Sequence, residues 1–195
     1  MLIVGFCGYS RCGKDTASQL LLNNSKIPLT KEKFAFADAL RDLARVLNVY
    51  FPEIGIRYND VIEQYGYETA KTKFPCVRDH LVALGHGARS CIHPSVWIEA
   101  LEYKITQSNP EIVIISDVRY LNEVNFILNH GGLVIYLKRN NLGPVNDTEA
   151  SSIKEILTTN TIRIIDNNAD LNILEAHVLQ IVQDYLESSG TTLIP

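Results

Sequence analysis

The chain has 195 residues, 46% of them hydrophobic, which suffices for one buried core and a single domain, residues 1–195, with small insertions. Eighteen Lys and Arg against 22 Asp and Glu leave a net charge of −4, so no global field draws the molecule to a polynucleotide. No apolar run approaches the ~18 residues of a membrane span and no basic leader precedes the first apolar segment, so a cytoplasmic protein with a small-molecule partner is expected.

In chain order, Leu2, Ile3, Val4 and Phe6 form a short β-prone run. Gly8 and Gly13 then bracket a GxxxxGK loop, and Ala17, Leu20 and Leu21 begin an apolar stripe at helical spacing. A glycine-bounded loop between a strand's end and a helix's start offers free backbone N–H groups and the positive end of a helix dipole to an anion. Lys14 is positioned to reach the outer phosphates of a triphosphate. The candidate nucleotide-binding residues are Gly8, Ser10, Arg11, Cys12, Gly13, Lys14, Asp15 and Thr16. Asp15 stands where many such loops carry Ser or Thr for Mg²⁺, and the hydroxyl follows one step later as Thr16. Either Asp15 caps the helix or it lies near the metal or the acceptor. The GK-x-T spacing resembles that of the nucleoside monophosphate kinases, which hold Mg²⁺ largely through water.

Residues 25–32 read as a polar loop, and KFAFAD at 33–38 as a second strand ending in Asp38. Asp38 opens a helix carrying Leu40, Leu43, Ala44 and Leu47, which Pro52 stops. Residues 51–75 are rich in Tyr and charge without a clean period, and 51–97 reads as an inserted acceptor-binding region. Within it, 76–86 is expected to be a helix with Val77, Leu81 and Leu84 inward, and Pro94 to start another bearing Trp97, Ala100, Leu101 and Ile105. EIVIISDVR at 111–119 is a buried strand ending in polar groups. A helix with Leu121, Val124, Ile127 and Leu128 follows, closed by Gly131 and Gly132, then the strand LVIYLKR at 133–139. Residues 140–149 read as a polar loop, within a lid expected at about 139–152. TIRII at 161–165 is the last strand, and Leu171 to Tyr185 make an amphipathic helix with a frayed tail after Ser188. The fold expected is α/β, a parallel five-stranded sheet flanked by helices, of the P-loop NTPase and nucleoside monophosphate kinase type, with ligands at the carboxyl edge of the strands.

Absences narrow the class. No DxxG follows any Asp and no NKxD occurs, which disfavours a GTPase switch. Asp117 ends its apolar run but is followed by Val118, not by the Glu that motor ATPases use to activate water. Transfer to a bound acceptor remains, and it calls for cations that hold two anionic substrates in line. Arg11, Arg41, Arg78, Arg89, Arg119 and Arg139 fall in predicted loops or near helix ends, and Arg offers phosphate a bidentate fork. Each of them alone could equally be a solvated rim residue. The cysteines, Cys7, Cys12, Cys76 and Cys91, show no paired spacing and are expected as reduced, mostly core thiols. A zinc set of Cys76, His80, Cys91 and His93 lacks the CxxC or HxxxH pairs that would support it. Cys12, if exposed, should be alkylated, with protection by nucleotide.

The segments GYSRCGKDT, FADALR at 36–41, YETAK at 67–71, VRDHLVALG at 77–85, HPSVW at 93–97, ISDVRYLNEV at 115–124 and GGLVIYLKR at 131–139 are similar, in order, to the deoxynucleoside monophosphate kinases of bacteriophages. DTEASS at 147–152 resembles that family's acidic segment after the lid loop, with Glu149 where His is often found. The resemblance implies transfer of the ATP γ-phosphate to a deoxynucleoside 5′-monophosphate in the cytoplasm, the host's if the protein is phage-encoded. It implies Mg²⁺ near Thr16 and Asp117, with Lys14, Asp117, Arg119 and Arg139 as the catalytic set. Arg78 and Arg89 would grip the acceptor phosphate, and Asp38, Arg41 and Trp97 would shape its pocket. From position alone, Asp38 could be only a helix cap, Trp97 only a core residue and Asp117 only a strand-end hydrogen bonder, each the lesser reading. A kinase for another metabolite such as dephospho-coenzyme A, and a nucleotide-binding regulator without turnover, are the alternatives. The Tyr-rich residues 50–67 could serve as an acceptor lid or as a homodimer face.

Overall fold

The computed structural model describes residues 1–189; the part of the expected frayed tail from Gly190 on lies outside the described residues. The chain runs β1 (Leu2–Cys7), α1 (Lys14–Asn23), β2 (Lys31–Phe34), α2 (Asp38–Leu47), β3 (Tyr50–Phe51), β4 (Ile56–Arg57), α3 (Tyr58–Tyr65) and α4 (Tyr67–Lys73). It continues through α5 (Pro75–Cys91), α6 (Val96–Ser108), β5 (Ile112–Val118), α7 (Leu121–Asn129), β6 (Leu133–Lys138), α8 (Asp147–Ile156), β7 (Arg163–Asp166) and α9 (Leu171–Ser188). Two compact units result, one from Met1–Ala35 with the residues from Lys104 on, the other from Phe36–Tyr103.

The first unit is a five-stranded sheet in the order β2-β5-β1-β6-β7, parallel throughout. Its central strand β1 is buried at every position, as a continuous apolar run covered on both faces requires. Leu2 pairs with Ile112 of β5, and Val4 pairs with Leu133 of β6. Val4, Phe6, Leu21, Ile114, Ile135, Leu137, Val178 and Val182 form the core between sheet and helices. The second strand begins two residues earlier than the sequence suggests. Lys31 pairs with Ile112, and its ammonium donates to the carbonyls of Asn24 at 2.9 Å and Ile27 at 2.7 Å, which lets a lysine open a strand. Burial holds the Lys31 ammonium below the usual lysine pKa range. β7 starts and ends later than expected, because its register with β6 carries it to Asp166, opposite Lys138.

The lid segment is only partly a loop. Asn146 caps α8, its side chain accepting the Glu149 N–H at 2.9 Å, so residues 147–152 are helical.

The second unit is helical and spans more of the chain than 51–97. The stretch from 51 to 75 holds the antiparallel pairs Tyr50–Arg57 and Phe51–Ile56 and two helices separated by Gly66, whose φ is 73°. α5 extends to Cys91, beyond the expected 76–86. Tyr58, Val61, Leu81, Ala88 and Trp97 anchor this unit's core. Among the described residues, no helix is long and apolar enough to cross a membrane.

Candidate active site

At the carboxyl end of β1 the backbone turns sharply. Gly8 has φ 136°, and a Cβ there would stand 2.5 Å from the Leu137 carbonyl oxygen, so the loop passes β6 at a distance only glycine allows. Arg11 at φ 64° and Gly13 at φ 106° add two more left-handed positions to the loop, the kind of backbone that forms anion-binding concavities. Gly13 is the N-cap of α1 and no side chain caps it, which leaves the first-turn amides of that helix to a ligand. The Lys14 side chain folds back over the loop, donating from Nζ to the carbonyls of Gly8 at 2.8 Å and Tyr9 at 2.9 Å. This loop, opening from the central strand of that sheet order into α1, gives the first unit a P-loop fold.

Two residues hold the loop from outside it by hydrogen bonds, and a third lies buried beside it. Asn167, just past β7, donates from Nδ2 to the Cys12 carbonyl at 2.8 Å, while its own N–H donates to the Lys138 carbonyl at 2.7 Å. Glu149 accepts the Ser10 N–H at 3.1 Å on Oε1 and the Val145 N–H at 2.8 Å on Oε2. Tyr136 of β6 is buried beside the loop, and its phenol is pushed up to about 12 by burial first and then by Tyr9, Cys12, Cys7 and Glu149.

Cys12 is 1% exposed, so the exposed thiol considered from sequence is not what the loop contains. Burial pushes its pKa up, with Lys14 opposing; Cys7 beneath it is pushed up to about 12 by burial and by Cys12. Both are core thiols as expected, but Cys76 is half-buried and Cys91 exposed. Among the described residues, no three or more His, Cys, Asp or Glu side chains gather as a metal site.

Asp15 is not the helix cap, since Gly13 holds that position. It lies in the first turn of α1, its side chain 87% exposed, with Lys33 Nζ at 3.3 Å. Thr16 is exposed in the same turn. Parallel register sets Cys7 opposite Val118, which brings the half-buried Asp117 and the exposed Arg119 to the strand end from which the loop leaves. The Arg119 and Tyr120 N–H groups donate to Glu123 Oε2 at 2.7 and 3.1 Å, so a buried carboxylate fixes that turn. Arg139 follows β6, exposed at the same edge. Thr16 and Asp117 offer hard oxygen donors, which fit Mg²⁺ with phosphate and water completing its shell.

The other expected residues belong to the helical unit. Asp38 is the first residue of α2, after the N-cap Ala37, and pairs with Arg41 at 2.9 Å. The Arg41 guanidinium lies over the Tyr67 ring, 4.6 Å from its centre. Arg78 and Arg89 are eleven residues apart on α5. They therefore share one face but stand about 16 Å apart along the axis, and their guanidinium groups meet only at near-full extension. Trp97 is 6% exposed, and its indole N–H donates to the Gly85 carbonyl at 3.1 Å. Gly85 also faces Leu40 and Arg89, so it is the residue around which α2, α5 and α6 gather.

Asn167, Tyr136, Glu123 and Gly85 were not singled out from sequence. Only Glu123 carried a readable signal, an acid at the third position of a helix.

No family model and no curated protein sequence matches the chain. Among solved structures, shikimate kinase from Aquifex aeolicus vf5 is similar at 9% identity and a TM-score of 0.47, over 94% of this chain and 97% of that one. Shikimate kinase from Acinetobacter baumannii in complex with shikimate is similar at 15% identity and a TM-score of 0.45, over 96% of this chain and 94% of that one.

Proposed function

We propose that the chain transfers the γ-phosphoryl group of ATP to a deoxynucleoside 5′-monophosphate, giving the diphosphate. The observation that supports this most is the phosphate loop, with Lys14 folded over it and Asp117, Arg119 and Arg139 at the same sheet edge. The loop amides and the first turn of α1 bind the phosphates, and Lys14 exchanges the Gly8 and Tyr9 carbonyls for phosphate oxygens. Mg²⁺, when bound near Thr16 and Asp117, supplies neutralisation of phosphate charge. Arg119 and Arg139 steer the migrating group, while Asp38, Arg41, Arg78 and Arg89 receive the acceptor and Trp97 supports their helices from the core. No general base is required, because a monophosphate oxygen is already an anionic nucleophile and transition-state charge is the main problem. The choice of acceptor rests on the FADALR and Arg78–Trp97 segments. The reading carries with it a cytoplasmic enzyme, in the host cytoplasm if phage-encoded.

The test is ADP formation from Mg-ATP with each deoxynucleoside and ribonucleoside monophosphate, with dephospho-coenzyme A and shikimate as comparison acceptors. The expected result is ADP only when a deoxynucleoside monophosphate is added. Equal ADP release without an acceptor, or turnover with dephospho-coenzyme A or shikimate alone, would overturn it.

A further inference from the structure

The phosphate loop already holds an anion supplied by its own chain. The Ser10 N–H, one of the loop's own amides, donates to Glu149 Oε1 at 3.1 Å across 139 residues of sequence. The carboxylate is also fixed from its own side. Oε2 accepts the Val145 N–H at 2.8 Å, and the Glu149 N–H donates to Asn146 Oδ1 at 2.9 Å, so the first turn of α8 aims this side chain at the loop. Lys14, meanwhile, points at the Gly8 and Tyr9 carbonyls rather than at Glu149. The carboxylate therefore uses a loop amide without pairing with the loop's cation.

We propose that Glu149 is a latch that competes with the triphosphate for the phosphate loop and thereby sets its nucleotide affinity. A triphosphate offers an acceptor for the Ser10 amide and also the negative charge that Lys14 lacks, so it displaces the carboxylate. Like charge then keeps Glu149 from returning while the ligand stays. Release of Glu149 frees the Val145–Glu149 turn, so entry of the nucleotide is coupled to movement of the lid segment. Neutralising the side chain weakens the competitor and truncating it to Ala removes it, so triphosphate binding tightens, by about five- to tenfold for the Ala variant, the scale of one charge-assisted hydrogen bond exchanged.

The inference rests on the phosphate-loop part of the proposed function but not on the acceptor. The experiment is calorimetric titration of inorganic tripolyphosphate, and separately of ATP, into the wild type, Glu149→Gln, Glu149→Ala and Lys14→Ala. Amide hydrogen exchange of residues 143–150 is followed with and without tripolyphosphate. Tighter binding by both Glu149 variants, with faster exchange at Val145 and Glu149 in the liganded wild type, supports the latch. Equal or weaker binding by Glu149→Gln, or exchange indifferent to the ligand, overturns it. A wild type that binds no tripolyphosphate overturns the latch and the phosphate loop together. Binding that follows the expected order without acceptor-dependent turnover upholds the latch while the kinase reading falls.

Discussion

The side-chain amide of Asn167 donates to the Cys12 carbonyl at 2.8 Å, tying the residue after the last strand to the phosphate loop. The same Nδ2 stands 2.5 Å from where a Cβ on Gly13 would sit, so the loop's shape and the end of β7 are set by each other. Asn167→Ala removes the brace, leaving the Cys12 carbonyl without this donor. ATP affinity should fall about five- to tenfold, the equivalent of ~1–1.4 kcal/mol for one hydrogen bond. Gly13→Ala should be worse, because the new methyl meets Asn167 and the residue must hold φ 106°. Calorimetric ATP titration of both variants decides; unchanged affinity in Asn167→Ala would remove this residue from the loop's support.

Lys14 donates to two loop carbonyls and is proposed to hold phosphate oxygens during transfer. Lys14→Ala should therefore lower kcat by about 10²- to 10³-fold, the usual cost of removing one transition-state donor. The melting temperature should drop by only about 2–4 °C, the shift that ~1 kcal/mol produces in a chain of this size. Acceptor-dependent ADP formation and a thermal melt on the same preparation check this. A variant that keeps its turnover would sink the proposed role.

The strands and the loop were legible because a buried parallel strand is a continuous apolar run and a phosphate loop needs glycines at fixed spacing. The helical unit was harder to read for physical reasons. α3 and α4 have 8 and 7 residues, too few turns for a 3.6-residue period to emerge. α5 runs through Gly85 and Gly87, which cost about 1 kcal/mol each relative to Ala and read as an end, but Gly85 is buried against Leu40. Asn146 and Glu149 have capping spacing, yet neighbouring Gly143 and Pro144 made the stretch read as loop. The contacts of Glu149 with Ser10 and of Asn167 with Cys12 join residues more than 130 apart, and no local pattern encodes them. Arg11, Arg119 and Arg139 lie in loops or at element ends, and Arg78 and Arg89 lie in the first and last turns of α5, as their positions suggest.

His80 lies between the rings of Phe51 and Tyr58, with centroids 5.8 and 6.0 Å away, and its Nε2 is buried without a hydrogen-bond partner. Burial holds its pKa below the ordinary 6.5, so the unfolded chain takes up a proton more readily than the folded one. The resulting stabilisation is fully present above pH ~6.5 and is lost as pH falls through that value toward the lowered folded pKa. Urea unfolding should show a lower midpoint at pH 5.5 than at pH 7.5. In His80→Gln the difference between the two pH values should shrink, since other titrating groups are common to both proteins. An equal difference in the two proteins would mean that His80 does not titrate differently on folding.

Trp97 was expected to shape the acceptor pocket, and its environment defines how far that role can be direct. The indole is 6% exposed and its N–H is held by the Gly85 carbonyl, so it has no donor left for a ligand. Its link to the acceptor residues runs through Gly85, where a Cβ would stand 2.7 Å from Leu40 Cδ1 and 4.0 Å from Arg89 Nη1. Trp97→Phe keeps most of the volume but loses the hydrogen bond. It should cost about 1–2 kcal/mol and lower the melting temperature by about 2–8 °C. The KM for the acceptor should rise while that for ATP stays, because the phosphate loop belongs to the other unit. A melt together with both KM values separates these effects: stability lost with the acceptor KM unchanged would make Trp97 a core residue and nothing more.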